Sequence, residues 1–457
     1  MRILLITQHY WPETVGTARR AWTLAEYFVQ QGHSVRVLCG WPNHPSMWRL
    51  FGGRHDGPAH HQGVEILRVP VYRTSLKYTR TWKQGEPLPP LAQLHRLISY
   101  GSWVVSGAAR SLIQGLHFDV VLAISPLPTG VLAGVAQLRL GVPLVFDLQD
   151  IWPEAAFQAG ILHGERLYQA LEAVEREVYA RAQALVVLSE GFKQHLVTRG
   201  FPAEKLHVIR NGVDPGPSMQ VGREGERWRK ERGWGPEDTV ILYAGNLGVM
   251  QDLDVLLDAA NQLKHVPNLH FLMVGDGVDR ERLQQKAEGL GLTRCAFLGH
   301  LSAEAMPRVM AGADVCFLSL KPGMYTPGTV PSKLYDYMMA GKPVLNLVQG
   351  DAAEALAHAQ GGMNLPEGDV RALKVAIFGM HADPGMRTRL GLNARGWAQR
   401  EVSQNQIGSQ YAHLLSQLTP QKGVKGAAAP LQVCLRGLRP LSSEKRKGAA
   451  GCSLSEG

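Results

Sequence analysis

The chain has 457 residues, enough for two or three domains with their own cores; 45% are hydrophobic and 19% charged, an ordinary globular balance. No run of 18 apolar residues offers a membrane span, and five scattered cysteines without a C-x-x-C pair exclude a disulfide scaffold or zinc site and fit a reducing, cytoplasmic compartment. The net charge of +9 is concentrated: segment 68–113 has seven Lys/Arg against Glu86 alone, and 421–457 has seven against two Glu, leaving a near-neutral body.

Met1–Thr7 predicts a buried strand, too short and too soon interrupted by Gln8 and His9 to be a signal peptide. A loop with Pro12 and Gly16 leads into a helix near residues 17–31. Gly32-His33 then turns the chain into a strand at 34–39. This βαβ opening predicts an α/β protein: a parallel sheet with helices on both faces. Next, Arg73, Lys77, Arg80 and Lys83 interleave with Tyr72, Tyr78 and Trp82. Residues 91–113 follow with apolar positions at helical spacing, Leu91, Leu94, Leu97/Ile98, Gly101, Val104/Val105, Ala108 and Leu112. Basic residues among interfacial aromatics suit an anionic membrane surface, whereas the plain alternative is a core helix beside a solvated basic loop. No nucleic-acid-binding module accompanies them, so nucleic acid is not an expected partner.

Further strands are predicted at 119–125, 144–147, 184–188 and 206–209. A second series follows at 239–244, 269–274, 296–298, 315–319 and 344–347. Between the series, Asn211-Gly-Val-Asp-Pro-Gly-Pro217 is rich in turn formers and marks a boundary. The expected domains are 1–213 and 214–401, with a terminal helix at 402–418. Residues 419–457, rich in Gly, Ala, Ser and Lys without periodicity, read as a disordered basic tail.

The segment Gly328-Thr-Val-Pro-Ser-Lys-Leu-Tyr-Asp-Tyr-Met-Met-Ala-Gly-Lys-Pro-Val-Leu345 predicts a loop, a short helix and a turn into a buried strand. Pro331 suits the first helical turn, Gly341 the exit, and Pro343 blocks continuation. The helix start offers backbone N–H groups and a positive dipole end to a phosphate, with the Ser332 hydroxyl and the Lys333 ammonium beside it. Asp336 shares their face and is placed to accept bonds from ribose hydroxyls. The combination reads as a nucleoside-diphosphate site; the bland reading is an amphipathic helix with an ordinary start and stop.

Other constellations lie at strand ends. Gly16 sits between the first strand and helix, in the crevice where open α/β sheets bind ligands, and it permits close backbone approach. Phe146-Asp-Leu-Gln-Asp150-Ile-Trp-Pro-Glu154 is dense in carboxylates; Asp150 is a candidate to orient an acceptor hydroxyl or take its proton, or a helix N-cap, while Asp147 reads as structural. In Tyr243-Ala-Gly245-Asn246-Leu-Gly248-Val-Met-Gln251-Asp252, glycines allow close approach and Asn246 and Gln251 can donate to phosphate. The plain reading is a turn capping a helix at 252–260. Gly275-Asp276-Gly277 ends the next strand as a turn that many sheets share. His300 is not expected to be catalytic. No metal cluster or Asp-x-Asp clamp stands out, so no metal is expected.

The 328–345 segment resembles the nucleotide-sugar loop of glycosyltransferase family 4, the retaining GT-B transferases. Many members carry a pair of glutamates there; Asp336 stands at the second position and Gly328 at the first. The Pro-Ser-Lys-x-Tyr and Asp-x-Trp-Pro wordings are similar to the subgroup that builds bacterial O-antigen and capsule-like polysaccharides, and the likeness runs to about residue 418. The resemblance implies two doubly wound, Rossmann-like domains facing a cleft, with acceptor on the first and donor on the second. It implies a hexosyl or N-acetylhexosaminyl nucleotide-diphosphate sugar as donor, no cofactor or metal, and retention of anomeric configuration. It also implies a terminal helix crossing back to the first domain and a lipid-linked acceptor at the inner face of the plasma membrane.

By the same resemblance Asp150, Lys333 and Asn246 carry the chemistry. Gly16, Gly245, Gly248, Gln251, Gly275, Asp276, Ser332 and Asp336 hold the donor. Many members place Arg at the Asn246 position and Lys at the Gln251 position, so here Lys333, the helix dipole and Lys321 inherit the diphosphate. Two other functions fit the fold: a sugar-nucleotide epimerase, and a non-catalytic sugar-nucleotide-binding subunit.

Overall fold

The computed structural model describes residues 1–13, 16–42, 57–72, 89–112, 117–158, 162–213, 221–302, 304–323 and 328–419. The predictions for Arg73, Lys77, Tyr78, Arg80, Trp82, Lys83 and the tail from Pro420 lie outside them. Residues 1–419 form one compact body built on two sheets.

The first sheet has eight strands: β1 (Arg2–Ile6), β2 (Ser34–Gly40), β3 (His60–His61), β4 (Val64–Val69), β5 (Val120–Ile124), β6 (Leu144–Leu148), β7 (Ala184–Val187) and β8 (Leu206–Val208). Their order is β3-β4-β2-β1-β5-β6-β7-β8, parallel except for the β3–β4 pair. Its inner strands are near-continuous apolar runs, such as Val120–Ile124 with all five residues buried, because helices cover both faces. The second sheet holds β9 (Thr239–Ala244), β10 (Leu269–Val274), β11 (Cys295–Gly299), β12 (Val315–Leu318), β13 (Val344–Asn346) and β14 (Gly362–Asn364). It is wholly parallel, in the order β11-β10-β9-β12-β13-β14.

Three strands escape the sequence reading. β3 has two residues, and β4, Val-Glu-Ile-Leu-Arg-Val, mixes charges into its alternation because it lies near the sheet edge, where among the described strands only β3 lies beyond it. β14 has three residues and too little pattern to read.

In each sheet the strand order reverses beside the first strand, between β1 and β5 and between β9 and β12. Ligand crevices of open α/β sheets lie outside the strand C-termini at such points. The chain leaves β1 toward Gly16, β9 toward Gly245 and β12 toward Gly328, which fixes where a site can be built.

The closing helix Gln404–Leu418 buries Ile407, Tyr411, Leu414 and Leu415 in the apolar layer that covers β1, β2 and β5. It is held at its start by a bridge between Val213 and Ser403. Tyr411 completes a buried polar knot. Asp147 accepts from Arg20 Nε at 2.7 Å, Tyr411 OH at 2.8 Å and Gln149 Nε2 at 2.8 Å. Arg20 also donates to the Ile209 and Arg210 carbonyls and to Asn211 Oδ1. Asp147 is therefore structural: it clamps the first helix (Gly16–Gln30), β6 and the segment that leaves the first sheet.

Candidate functional site

The helix Ser332–Met339 buries Leu334, Tyr335, Tyr337, Met338 and Met339 and turns its remaining face to the cleft. Pro331 occupies the N-cap position rather than the first turn, with φ −60° and ψ 126°, and its ring makes no capping hydrogen bond to the first N–H groups. Ser332 is exposed there. Gly341, at φ +71°, ends the helix in the left-handed region that favours glycine.

Lys333 reaches back over the turn that follows β9. Its Nζ lies 2.7 Å from Tyr243 OH and 4.3 Å from that ring's centre. A Cβ on Gly245 would stand 2.8 Å from Nζ, so a side chain there would displace the ammonium, and the backbone at φ +149° itself favours glycine. Loss of water brings the Lys333 pKa down to about 8, while Asp336 acts in the opposite direction. The Asp336 carboxyl is pushed above its ordinary range by burial, opposed first by Arg19 and then by Lys333.

Gly245 and Gly275 touch backbone to backbone: a Cβ on Gly275 would collide with the Gly245 carbonyl. Gly277 packs as closely on Leu247, and Leu247 N–H donates to Asp276 O at 2.9 Å. The two glycine turns therefore form one stacked floor. Asp276 points outward, accepting from Gly277 N–H and facing Arg280 at 3.7 Å. Asn246 is exposed; Gln251 turns its amide oxygen inward, 3.4 Å from Asn246 Nδ2 and 3.2 Å from Gly248 N–H. Asp252 adopts φ 47° and the next helix begins at Asp254, not at 252, because Val249–Gln251 first forms a 3-10 turn. Lys321 is exposed near Asp252, and His300 is exposed after β11.

On the first lobe, Gly16 is the first residue of its helix, and a Cβ there would meet nothing within 4 Å. Asp150 does not cap the helix Glu154–Gln158, which starts beyond it. It is reached by solvent but walled by protein, and that desolvation raises its carboxyl pKa. Tyr100 stands beside it, edge-on to Trp152 at 5.3 Å, with its phenol pushed up by burial and drawn down by Arg96. Asp150 is thus grouped with Tyr100 and Trp152, whereas Lys333, Asp336, Gly245 and Tyr243 form a separate set.

Contacts between described residues join the lobes around this cleft. Arg19 Nη1 lies 3.6 Å from Asp336 Oδ1. Ser189 Oγ donates to the Gly328 carbonyl at 2.7 Å, and Gly191 N–H donates to Asp351 Oδ2 at 2.7 Å. A side chain at Gly328 would run into Phe192, with the Phe192 backbone nitrogen 2.5 Å from its Cβ. Sequence reasoning missed Arg19 and Tyr243. The available signal was the Arg19-Arg20 pair one turn after Gly16: neighbouring helical positions diverge, so one faces the core and the other the cleft.

Residues 15–212 match the family described as glycosyl transferase 4-like domain, and residues 224–397 match glycosyl transferases group 1. The chain is 26% identical over 356 residues to WcaI of Escherichia coli K12, assigned as a glycosyl transferase of colanic acid biosynthesis; the match spans 75% of this chain and 82% of that protein. It is 25% identical over 397 residues to a GDP-mannose-dependent alpha-mannosyltransferase of Mycolicibacterium smegmatis, spanning 86% of this chain and 92% of the other. The fold is shared with HepE of Anabaena, solved in complex with UDP, at a TM-score of 0.65 and 21% identity over 92% of this chain and all of that one.

Proposed function

The chain belongs to the group 1 glycosyltransferases with a GT-B fold, and we propose that it moves a hexosyl or N-acetylhexosaminyl group from a nucleoside-diphosphate donor to a lipid-linked glycan. The observation that carries this reading is the partly desolvated Lys333 ammonium beside an uncapped helix start and a stacked glycine floor. That is a compact site of positive potential with room for backbone-close phosphates. Relatives whose names or titles specify UDP or GDP-mannose support a nucleoside diphosphate without choosing the base.

In this reading the C1–O bond to the diphosphate breaks while the acceptor oxygen bonds to C1 on the same face, giving retention. The acceptor proton passes to the departing phosphate oxygen, directly or through Asp150. Lys333, Ser332 and Asn246 stabilise the leaving charge, Gly16 admits it closely, and Asp336 holds the ribose. The protein's own charges carry this task, so transfer needs no divalent metal and survives EDTA.

Membrane placement is supported by the helix Pro90–Leu112. Its Leu91, Leu94, Ile98 and Val105 are 53%, 51%, 43% and 69% exposed, an outward apolar stripe, while Ala92, Ser99, Trp103 and Gly107 face the core. No helix among the described residues is long and apolar enough to cross a membrane.

The test is incubation with UDP- and GDP-sugars, with and without membrane-extracted glycolipid acceptors, followed by NMR of the product's anomeric centre. Retained configuration, and an unchanged donor sugar when acceptor is absent, are the expected results. Conversion of the donor to an epimer without acceptor would establish the isomerase reading instead.

A further inference from the structure

We propose that Arg19 of the first lobe is the cation that binds the departing diphosphate, and that its contact with Asp336 holds its place until the donor arrives. This rests on the donor reading above and adds a residue to it. The second lobe has Asn246 and Gln251 at the mouth of its glycine floor, neutral groups in a place where two phosphates bring at least two negative charges. Lys333 is one positive charge, and its lowered pKa weakens even that. Lys321, the other cation of this lobe near the turn, already faces Asp252, and the opposite lobe offers a further one.

The first helix supplies it. Arg20 is locked inward by Asp147, Tyr411, Asn211 and two carbonyls. That anchoring fixes the rotation of the helix about its axis. Arg19, about 100° around the helix, is therefore held toward the cleft, on the same face as Gly16 three residues earlier. Its side chain is 46% exposed and reaches across to Asp336 on the opposite lobe.

The contact is loose. At 3.6 Å it exceeds the roughly 2.7–2.9 Å of a charge-assisted hydrogen bond, and both partners are more than a third exposed. Such a pair exchanges at little cost. When a nucleoside diphosphate enters, the ribose hydroxyls take Asp336 and the phosphates take Arg19, a planar fork suited to phosphate oxygens. Arg19 then contacts the leaving group from the first lobe. As the diphosphate departs, the C1–O electron pair moves onto its bridging oxygen and the guanidinium offsets that charge.

The experiment measures binding of UDP, GDP and inorganic pyrophosphate by calorimetry, in wild type, Arg19→Ala, Asp336→Asn and the double variant. Folding is checked by circular dichroism; Arg19 lies on a solvated helix face, so the variants keep their melting profiles. Wild type binds UDP or GDP, and Arg19→Ala weakens that binding about tenfold, the loss of a charge-assisted bond. Asp336→Asn binds pyrophosphate more tightly, because a competing carboxylate is gone. The decisive comparison is within the Asp336→Asn background: adding Arg19→Ala again weakens pyrophosphate about tenfold if Arg19 touches the phosphates. An effect below twofold there means that Arg19 only neutralises Asp336, and overturns the inference while leaving the donor reading intact. Wild type binding none of the three probes overturns the donor reading, and the inference with it.

Discussion

Lys333 is a lysine partly stripped of water, and its chemistry follows from that. In the proposed function its charge faces a diphosphate, yet burial brings its pKa down to about 8. The sign is fixed: the ammonium is present below that value and lost above it. Donor kcat/KM, which reports the free enzyme, should be level near neutrality and fall through pH about 8. On the acid side Asp336 must be ionised, and its raised pKa places that limb above the ordinary aspartate range. In Lys333→Arg the alkaline limb should vanish, since a guanidinium stays charged. An unshifted alkaline limb in that variant would assign it to another group. Lys333 and Asp336 were legible because a proline, a hydroxyl, a lysine and an aspartate fell at helical spacing after an apolar strand. The Arg19 contact was not, because an ion pair between residues 317 positions apart leaves no trace in local pattern.

At the scale of elements, Gly328 shows how a departure from a family's wording can have a local cause. The resemblance puts a glutamate at this position, but here the backbone lies against the start of the helix Glu190–Thr198, with Ser189 Oγ bonded to its carbonyl. Gly328→Glu should therefore not restore a missing group. It should wedge the lobes apart and lower kcat at least about tenfold, while donor binding on the second lobe changes little. A variant as active as wild type would show that Phe192 yields freely. The helix Pro90–Leu112 illustrates the opposite case: its period was legible, its orientation was not. Apolar spacing alone does not say which stripe faces the core, and here Trp103 faces inward while Leu91, Leu94, Ile98 and Val105 face out. Replacing Ile98 and Val105 with Asp should abolish sedimentation with anionic vesicles and leave the melting temperature unchanged. Equal sedimentation by the variant would remove this helix from the membrane account.

For the whole molecule, the fold was largely legible, because parallel strands buried on both faces stand out as apolar runs between glycine-marked turns. The strands that escaped, β3, β4 and β14, are those whose burial is partial or whose length is two or three residues. The site was legible lobe by lobe, but its assembly is a tertiary matter: Gly245 against Gly275, Lys333 over Tyr243, Arg19 opposite Asp336. The first two are contacts within the second lobe and the third joins the lobes, with Arg19 presented by a helix that the knot of Arg20, Asp147 and Tyr411 holds in place. The central claim is that this arrangement holds a nucleoside-diphosphate sugar on the second lobe. The most direct measurement is the thermal shift of wild type, Lys333→Ala and Asp336→Ala across a panel of nucleotide sugars. The account predicts that at least one sugar nucleotide raises the wild-type melting temperature and that both variants, folded as wild type without ligand, lose the shift. A panel that moves nothing, or variants that respond as wild type does, would contradict it.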